Sequence, residues 1–428
     1  MAEIKPFKGL RFTDKAGNIG KLCCPPYDII SPEQKQEFIK ENPYNIIRLE
    51  LPKTANDSDS AYDDAGKTLG AWLDSEILKC DSKPGIYIYE MSFDCAGKSY
   101  AVKGFVSLVK LEEFSKGVIL PHEETLSKAK TDRFNLMCAT GCNFSQIYSL
   151  YMDEDNSTFS IIENASKGAP DSEFTDADGV VHKMWCIYDE DVISAIESKM
   201  ADKKLYIADG HHRYETALNY RNHIRDGKGE SGTSEYVTMM LVNMENSGLV
   251  VFPTHRIVRD LNSFDYNTVI DKCRDYFDIT PYLNREKGET ALAQAYNDGK
   301  KAFVLYSGDN NYTLMVLKNT ELMQELMPTA SKALRELDVS VLHTLVLERI
   351  FGIDKENMAN QINLTYTREA DEAISAVDGK KANCCFLLNP TRVSEIRDVA
   401  LAGEKMPQKS TYFYPKLTTG LVMNKIFD

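Results

Sequence analysis

A mixed α/β fold is predicted by three observations. Short apolar runs end at dense polar clusters and give way to helical spacing, as Leu205–Ala208 does before Asp209 and Tyr214, Ala217 and Leu218. Two alternating runs, 86–93 and 99–109, flank the turn-like Asp94-Cys95-Ala96-Gly97-Lys98 and read as a hairpin. The pattern resets near 260–270, where a helix, a strand pair and further helices follow. The expected organisation is a ligand-binding domain over 1–265 and a C-terminal α/β domain over 266–428.

The elements follow in order. Cys23-Cys24-Pro25-Pro26-Tyr27-Asp28 is a stiff extended stretch. Ser31-Pro32-Glu33-Gln34 starts a helix, with a serine cap, proline at the first turn and glutamine placed for a capping box. Residues 44–51 read as a strand and 53–60 as a polar loop. Tyr62, Ala65, Leu69 and Trp72 have helical spacing. A strand over 117–120 runs into Pro121-His122-Glu123-Glu124-Thr125 and then a helix, which would carry Cys138 and Cys142 on one face. Residues 153–178 read as a polar loop, 192–200 as a helix, and 236–242 and 249–252 as strands. Beyond the reset, Gly308-Asp309-Asn310-Asn311 turns a strand pair, and 330–350 reads as one long helix.

Composition narrows the function. A net charge of −14 argues against a general nucleic-acid or anionic-membrane surface. No apolar run approaches the roughly 18 residues that span a bilayer, and residues 1–10 lack the apolar core of a signal peptide. The ten cysteines, two pairs of them adjacent, suit packing in a reducing cytoplasm better than a disulfide framework or a metal site. A cytoplasmic location is the expectation, and a homo-oligomer is allowed.

Asp209-Gly210-His211-His212-Arg213 is the most informative stretch. It places a carboxylate, a glycine and three nitrogen-bearing side chains where a strand becomes a helix. Helix starts present unpaired N–H groups and a positive dipole end, which hold anions. Gly210 allows close backbone approach, and Arg213 has the planar fork that grips phosphate. Plain helix capping is the bland alternative.

Other clusters fall at strand ends: His122-Glu123-Glu124, Thr254-His255-Arg256 and Lys409-Ser410-Thr411. Such ends are where loops of α/β folds converge on ligands. Glu123 would serve as a base, and His255 with Arg256 as a carboxylate or phosphate clamp. Lys409, Ser410 and Thr411 would bind phosphate, or simply form an edge strand between prolines. Familiar motifs fail. Gly97-Lys98-Ser99 lacks the earlier Walker glycine, and Leu126 stands where a zinc His-Glu-x-x-His needs histidine. A metal-dependent hydrolase on His122, His211, His212 and His255 is a further alternative, as is a nucleotide-responsive binding protein without turnover.

The Asp209–Arg213 pentapeptide and Pro121-His122-Glu123-Glu124 resemble the signatures of free serine kinases of the ParB/sulfiredoxin-like superfamily. Nearly the whole chain also resembles a large, mostly uncharacterised bacterial and archaeal family. The shared stretches are 24–28, 122–125, 209–213, 253–256 and 406–411. The resemblance implies a ParB/sulfiredoxin-like core and a kinase that makes O-phospho-L-serine from L-serine. ATP or ADP would be the donor, with Mg²⁺ on its phosphates. It implies Glu123, Asp209 and His211 as catalytic groups. Gly210, His211, His212, Arg213, Lys409, Ser410 and Thr411 would hold nucleotide, and His122, Thr125, His255 and Arg256 would hold substrate.

Overall fold

The computed structural model describes residues 1–53, 58, 60–95, 97–123, 127–228 and 232–427. The chain divides into two units. The first comprises Met1–Pro121, Thr125–Leu249 and Pro415–Asp428; the second comprises His122–Glu124 and Val250–Tyr414. This differs from a single cut at 265. His255–Val258 pairs with Leu364–Thr367 and Cys384–Leu388 of the second unit. The tail strand Asn424–Lys425 pairs with Cys142–Asn143 of the first. Pairing, not sequence proximity, decides membership.

The first unit is built on a mixed sheet. Its strands run, in spatial order, Ile119–Leu120, Leu205–Asp209, Ile147–Tyr151, Tyr236–Asn243, Lys98–Lys110, Ile86–Cys95, Val181–Ile187 and Ser172–Thr175, with Ile4–Lys5 also pairing to Lys98–Lys110. The expected hairpin is present, with Ile88 opposite Phe105. Leu205–Asp209 is parallel to Ile119–Leu120 and antiparallel to Ile147–Tyr151. Alternate residues Ile86 and Ile88, Leu205 and Ile207, and Val237, Met239 and Leu241 face one core, as the two-residue strand period requires. Helices Glu190–Met200 and His211–Lys228 cover it through Ile193, Ile196, Tyr214, Ala217 and Leu218. A second core gathers Leu10, Leu22, Ile46 and Ile47 with Tyr62, Ala65, Leu69 and Trp72 of helix Ser60–Asp74.

The second unit has an antiparallel sheet ordered Phe277–Tyr282, Tyr312–Leu317, Ala302–Tyr306, Cys384–Leu388, His255–Val258 and Leu364–Thr367. Its central strands are apolar throughout because both faces are covered. Phe303 and Leu305 enter one core, Ala302, Val304 and Tyr306 the other. Pro281 sits in an edge strand, where its missing N–H disturbs least. Val250–Phe252 pairs with Tyr412–Tyr414 in a separate ribbon.

Several expectations fail for physical reasons. Residues 44–51 hold a short helix, Ile47–Glu50, instead of a strand. Ile46, Ile47 and Leu49 are all fully buried, so no period shows. Asn45 turns the chain by accepting from the Ile47 N–H at 2.9 Å. The stretch 153–178 contains helix Ser157–Ala165 and edge strand Ser172–Thr175. Much of its polarity lies in capping groups, such as Asp153, which accepts from the Thr158 N–H at 2.8 Å. The helix expected over 330–350 breaks at extended Leu337 into Lys332–Arg335 and Asp338–Val341, the latter continuing as a π-helix over Leu342–Glu348. Cys138 and Cys142 do not share a helix face. Helix Ser127–Thr140 ends before left-handed Gly141, and Cys142 begins a strand. The capping box at Ser31 and Gln34 is present. Residues 54–57 and 59 of the expected loop lie outside the described residues.

Candidate functional site

In the first unit, strand Leu205–Asp209 ends one residue before helix His211–Lys228. Gly210 makes the turn at φ +97°, and a Cβ there would sit 3.0 Å from Arg213 Nε. The positive φ favours glycine, and a side chain there would press on Arg213. Arg213 Nη2 donates to Asp209 Oδ2 at 2.6 Å, and Arg213 Nη1 donates to the Gln146 carbonyl. Lys416 Nζ donates to the other oxygen, Asp209 Oδ1. Burial works to raise the Asp209 carboxyl, but Lys416 and Arg213 outweigh it and hold it well below the ordinary range. Asp209 is thus a fixed carboxylate between two cations. His211 is buried and His212 half-buried.

A second charged cluster in the same unit bears on Arg213. Arg133 stacks 4.2 Å over Tyr27, donates to the Glu50 carbonyl at 2.6 Å and pairs with Asp132 at 2.6 Å. Glu50 is buried and accepts from Ser145 Oγ at 2.9 Å. Asp28, Tyr27 and Glu50 all act electrostatically on Arg213. The Pro-Pro-Tyr-Asp stretch therefore belongs to the surroundings of the Asp209–Arg213 loop.

The second unit assembles the remaining predicted residues. His122 Nε2 and Thr411 Oγ1 share a hydrogen bond of 3.0 Å. Glu123 Oε1 accepts from the Lys409 N–H at 2.7 Å, and Met406 donates its N–H to the His122 carbonyl at 2.7 Å. Lys409 adopts a left-handed φ of +56°, a conformation that side-chain-bearing residues adopt infrequently and that marks a constrained turn. Ser410 holds this turn: its hydroxyl donates to the Pro407 carbonyl and its carbonyl accepts from Thr391 Oγ1 at 2.9 Å.

Arg256 is 1% exposed. Its Nη1 donates to the Thr254 carbonyl, whereas Nε and Nη2 meet no acceptor among the described residues. The guanidinium lies 5.4 Å from the centre of the Tyr366 ring. Burial lowers Arg256 to about 10, against the opposing influence of Tyr366 and Glu123. A buried cation with two idle donors is costly unless an anion completes it. His255 is used within the sheet: its Nδ1 accepts from the Leu388 N–H at 3.2 Å. Burial, then the charges of Arg256 and Arg285, push it down to about 4, so it is neutral near pH 7.

Glu124 and Thr125 lie outside the described residues. The first unit contributes Asp209, Gly210, His211, His212 and Arg213; the second contributes His122, Glu123, His255, Arg256, Lys409, Ser410 and Thr411. Sequence reasoning missed Lys416, Glu50 and Arg133 as members of these clusters. Nothing local marks Lys416, which reaches Asp209 across 207 residues. Among the described residues, no group of three or more His, Cys, Asp or Glu side chains is arranged to hold a metal. No helix among them is long and apolar enough to cross a membrane.

Several solved structures are similar at low identity. A conserved hypothetical protein from Pyrococcus furiosus is 13% identical over 74% of this chain and 95% of its own, with a TM-score of 0.35. A free serine kinase in complex with AMP is 12% identical over 74% and 92%, with a TM-score of 0.37. SbnI with C-terminal truncation, from Staphylococcus aureus, is 12% identical over 75% and 87%, also with a TM-score of 0.37. Likeness of this degree carries no argument about activity. No curated protein matches the chain. Residues 4–340 match the family described as protein of unknown function DUF1015, and the chain belongs to that family.

Proposed function

We propose that this protein is a phosphotransferase that moves a phosphoryl group from ATP or ADP to the hydroxyl of a small metabolite, with free L-serine the preferred acceptor. The observation that carries the reading is the Glu123 carboxylate, held by the Lys409 N–H, in the unit where Arg256 keeps two buried donors idle. A fixed carboxylate and a buried cation with donors to spare suit an acceptor that presents a hydroxyl proton and an anionic group. Phosphoryl transfer asks chiefly for positioning and positive charge, with a base for the acceptor proton.

Each residue then has a task. The acceptor oxygen attacks the terminal phosphorus, the bond from that phosphorus to the nucleotide oxygen breaks, and the acceptor proton passes to Glu123. Arg256 meets the acceptor's carboxylate. His122 meets the acceptor, Thr125 is assigned the same task by its place in the motif alone, and His255 orders the strand that presents Arg256. The start of helix His211–Lys228, with Gly210, His211, His212 and Arg213, holds nucleotide phosphates through N–H groups and charge. Lys409, Ser410 and Thr411 add phosphate contacts. Asp209 keeps Arg213 and Lys416 in place; both its oxygens are engaged, so it does not suit a metal without displacing Lys416. Mg²⁺ bound to the nucleotide would shield its phosphates. A ParB/sulfiredoxin-like core and a cytoplasmic setting accompany this reading.

The test is incubation of the full chain with ATP or ADP and a panel of amino acids and small alcohols, followed by mass spectrometry. O-phospho-L-serine is the expected product. Nucleotide binding with no phosphorylated acceptor across the panel would replace the kinase with a nucleotide-responsive binding protein.

A further inference from the structure

The second unit contains a cavity of about 180 Å³. Three of its walls, Met327, Leu334 and Met358, are apolar. Ser340 and His343 also line it, 2% and 7% exposed. Among the described residues, neither Ser340 Oγ nor His343 Nε2 has a hydrogen-bond partner. Leaving two polar atoms unpaired in a buried setting costs free energy, so their presence calls for a ligand group to meet them.

The backbone points the same way. His343, Thr344 and Glu348 reach the cavity from the π-helix Leu342–Glu348. π-turns are rare and concentrate at functional sites, because the wider turn re-aims side chains that an α-helix would place elsewhere. Here Leu345, Val346 and Leu347 remain in the core while His343 and Thr344 line the cavity.

The chemistry of the walls selects the ligand. Burial, then the charge of Arg256, keeps His343 neutral. The serine hydroxyl is a donor, Nε2 of the neutral imidazole is a second in the tautomer that carries its proton there, and the Arg256 charge acts on His343. A carboxylate fits that end. Met327, Leu334 and Met358 then cover an apolar tail. An apolar cavity of about 150 Å³ accommodates benzene, so this volume suits a compact metabolite rather than a nucleotide.

We propose that this cavity binds a small carboxylate bearing an apolar tail, its carboxylate meeting Ser340 and His343. The site does not depend on the kinase reading, and its test uses no nucleotide. It adjoins the Glu123 cluster: Met406 and Tyr366 line the cavity, Met406 forms a bridge with Glu123, and Tyr366 stacks with Arg256.

The experiment is calorimetry and thermal denaturation of the full chain with 4-methyl-2-oxopentanoate, L-leucine and L-serine. The expected result is saturable binding of 4-methyl-2-oxopentanoate or L-leucine, with a raised melting temperature. Preference between these two identifies an oxo acid or an amino acid as the source. Ser340→Ala removes an unpaired hydroxyl, so it should leave the ligand-free protein as stable as before while weakening binding about tenfold, one hydrogen bond's worth. Leu334→Trp, which fills the cavity, should abolish binding. No saturable binding of either apolar acid, binding unchanged in both variants, or binding of L-serine alone would each overturn the proposal.

Discussion

Glu123 accepts a hydrogen bond of 2.7 Å from the backbone N–H of Lys409, across 286 residues. Beside it, His122 shares a hydrogen bond with Thr411 and gives its carbonyl to Met406. His122 and Glu123 belong by their contacts to the second unit, although the chain up to Pro121 belongs to the first. One loop thereby fixes the carboxylate that the kinase reading needs as a base.

Glu123→Gln should keep this arrangement, because a glutamine carbonyl still accepts from the Lys409 N–H. It cannot take a proton. Turnover should fall about 10²- to 10⁴-fold, the usual contribution of a positioned base, while nucleotide affinity measured by calorimetry stays within error. Unchanged formation of phosphorylated acceptor would remove Glu123 from the mechanism.

Arg213→Ala should weaken nucleotide binding by about 1.5–3 kcal/mol, the range for a hydrogen bond to a charged group. Equal affinity in the variant would restrict Arg213 to bracing Asp209 and the Gln146 carbonyl.

The Asp209 carboxyl is depressed in the folded chain, so its ionised form stabilises the fold. That contribution is complete above the unfolded value, near pH 4, and is lost as pH falls toward the lower folded value. Lys416→Met removes one of its two cations. It should destabilise the protein by about 1–3 kcal/mol at pH 7, below the full penalty for breaking a buried pair because both side chains retain some exposure. Urea titrations should show the gap to the parent narrowing below about pH 4. A gap independent of pH would deny the coupling.

Arg256→Met tests function against stability. The methionine removes a buried cation with two unpaired donors, so the ligand-free protein should be unchanged or stabilised by about 1–3 kcal/mol. If Arg256 meets the acceptor's carboxylate, the apparent KM for acceptor should rise at the same time. Strong destabilisation would show that Arg256 is a structural strut.

Asp338 offers a test in the other direction. Burial raises its carboxyl to about 7, only partly offset by Lys301, and Oδ1 has no partner among the described residues. A folded value above the unfolded one means that stability is highest below about pH 4 and falls as pH rises through 7. Asp338→Asn should therefore be more stable than the parent at pH 8 and show a smaller loss between pH 5 and pH 8. Parallel stability curves would place Asp338 in a better-solvated setting.

The sequence alone determined the local units. Gly210 between Leu205–Ala208 and the helix beginning at His211, the capping box at Ser31 and Gln34, and the hairpin around Gly97 are all set by interactions among neighbouring residues. Such interactions leave their trace in spacing. The same reasoning failed at Ile46–Leu49, because a segment buried on all sides loses its period. It also failed at 330–350, because the break at Leu337 answers to packing. Only tertiary structure decided that Lys416 would clamp Asp209, that Glu50 and Arg133 would be buried together, and that His122 and Glu123 would join Lys409–Thr411 in the second unit. Each depends on contacts between residues far apart in the chain, where burial and charge pairing choose the partner and no spacing along the polypeptide records the choice.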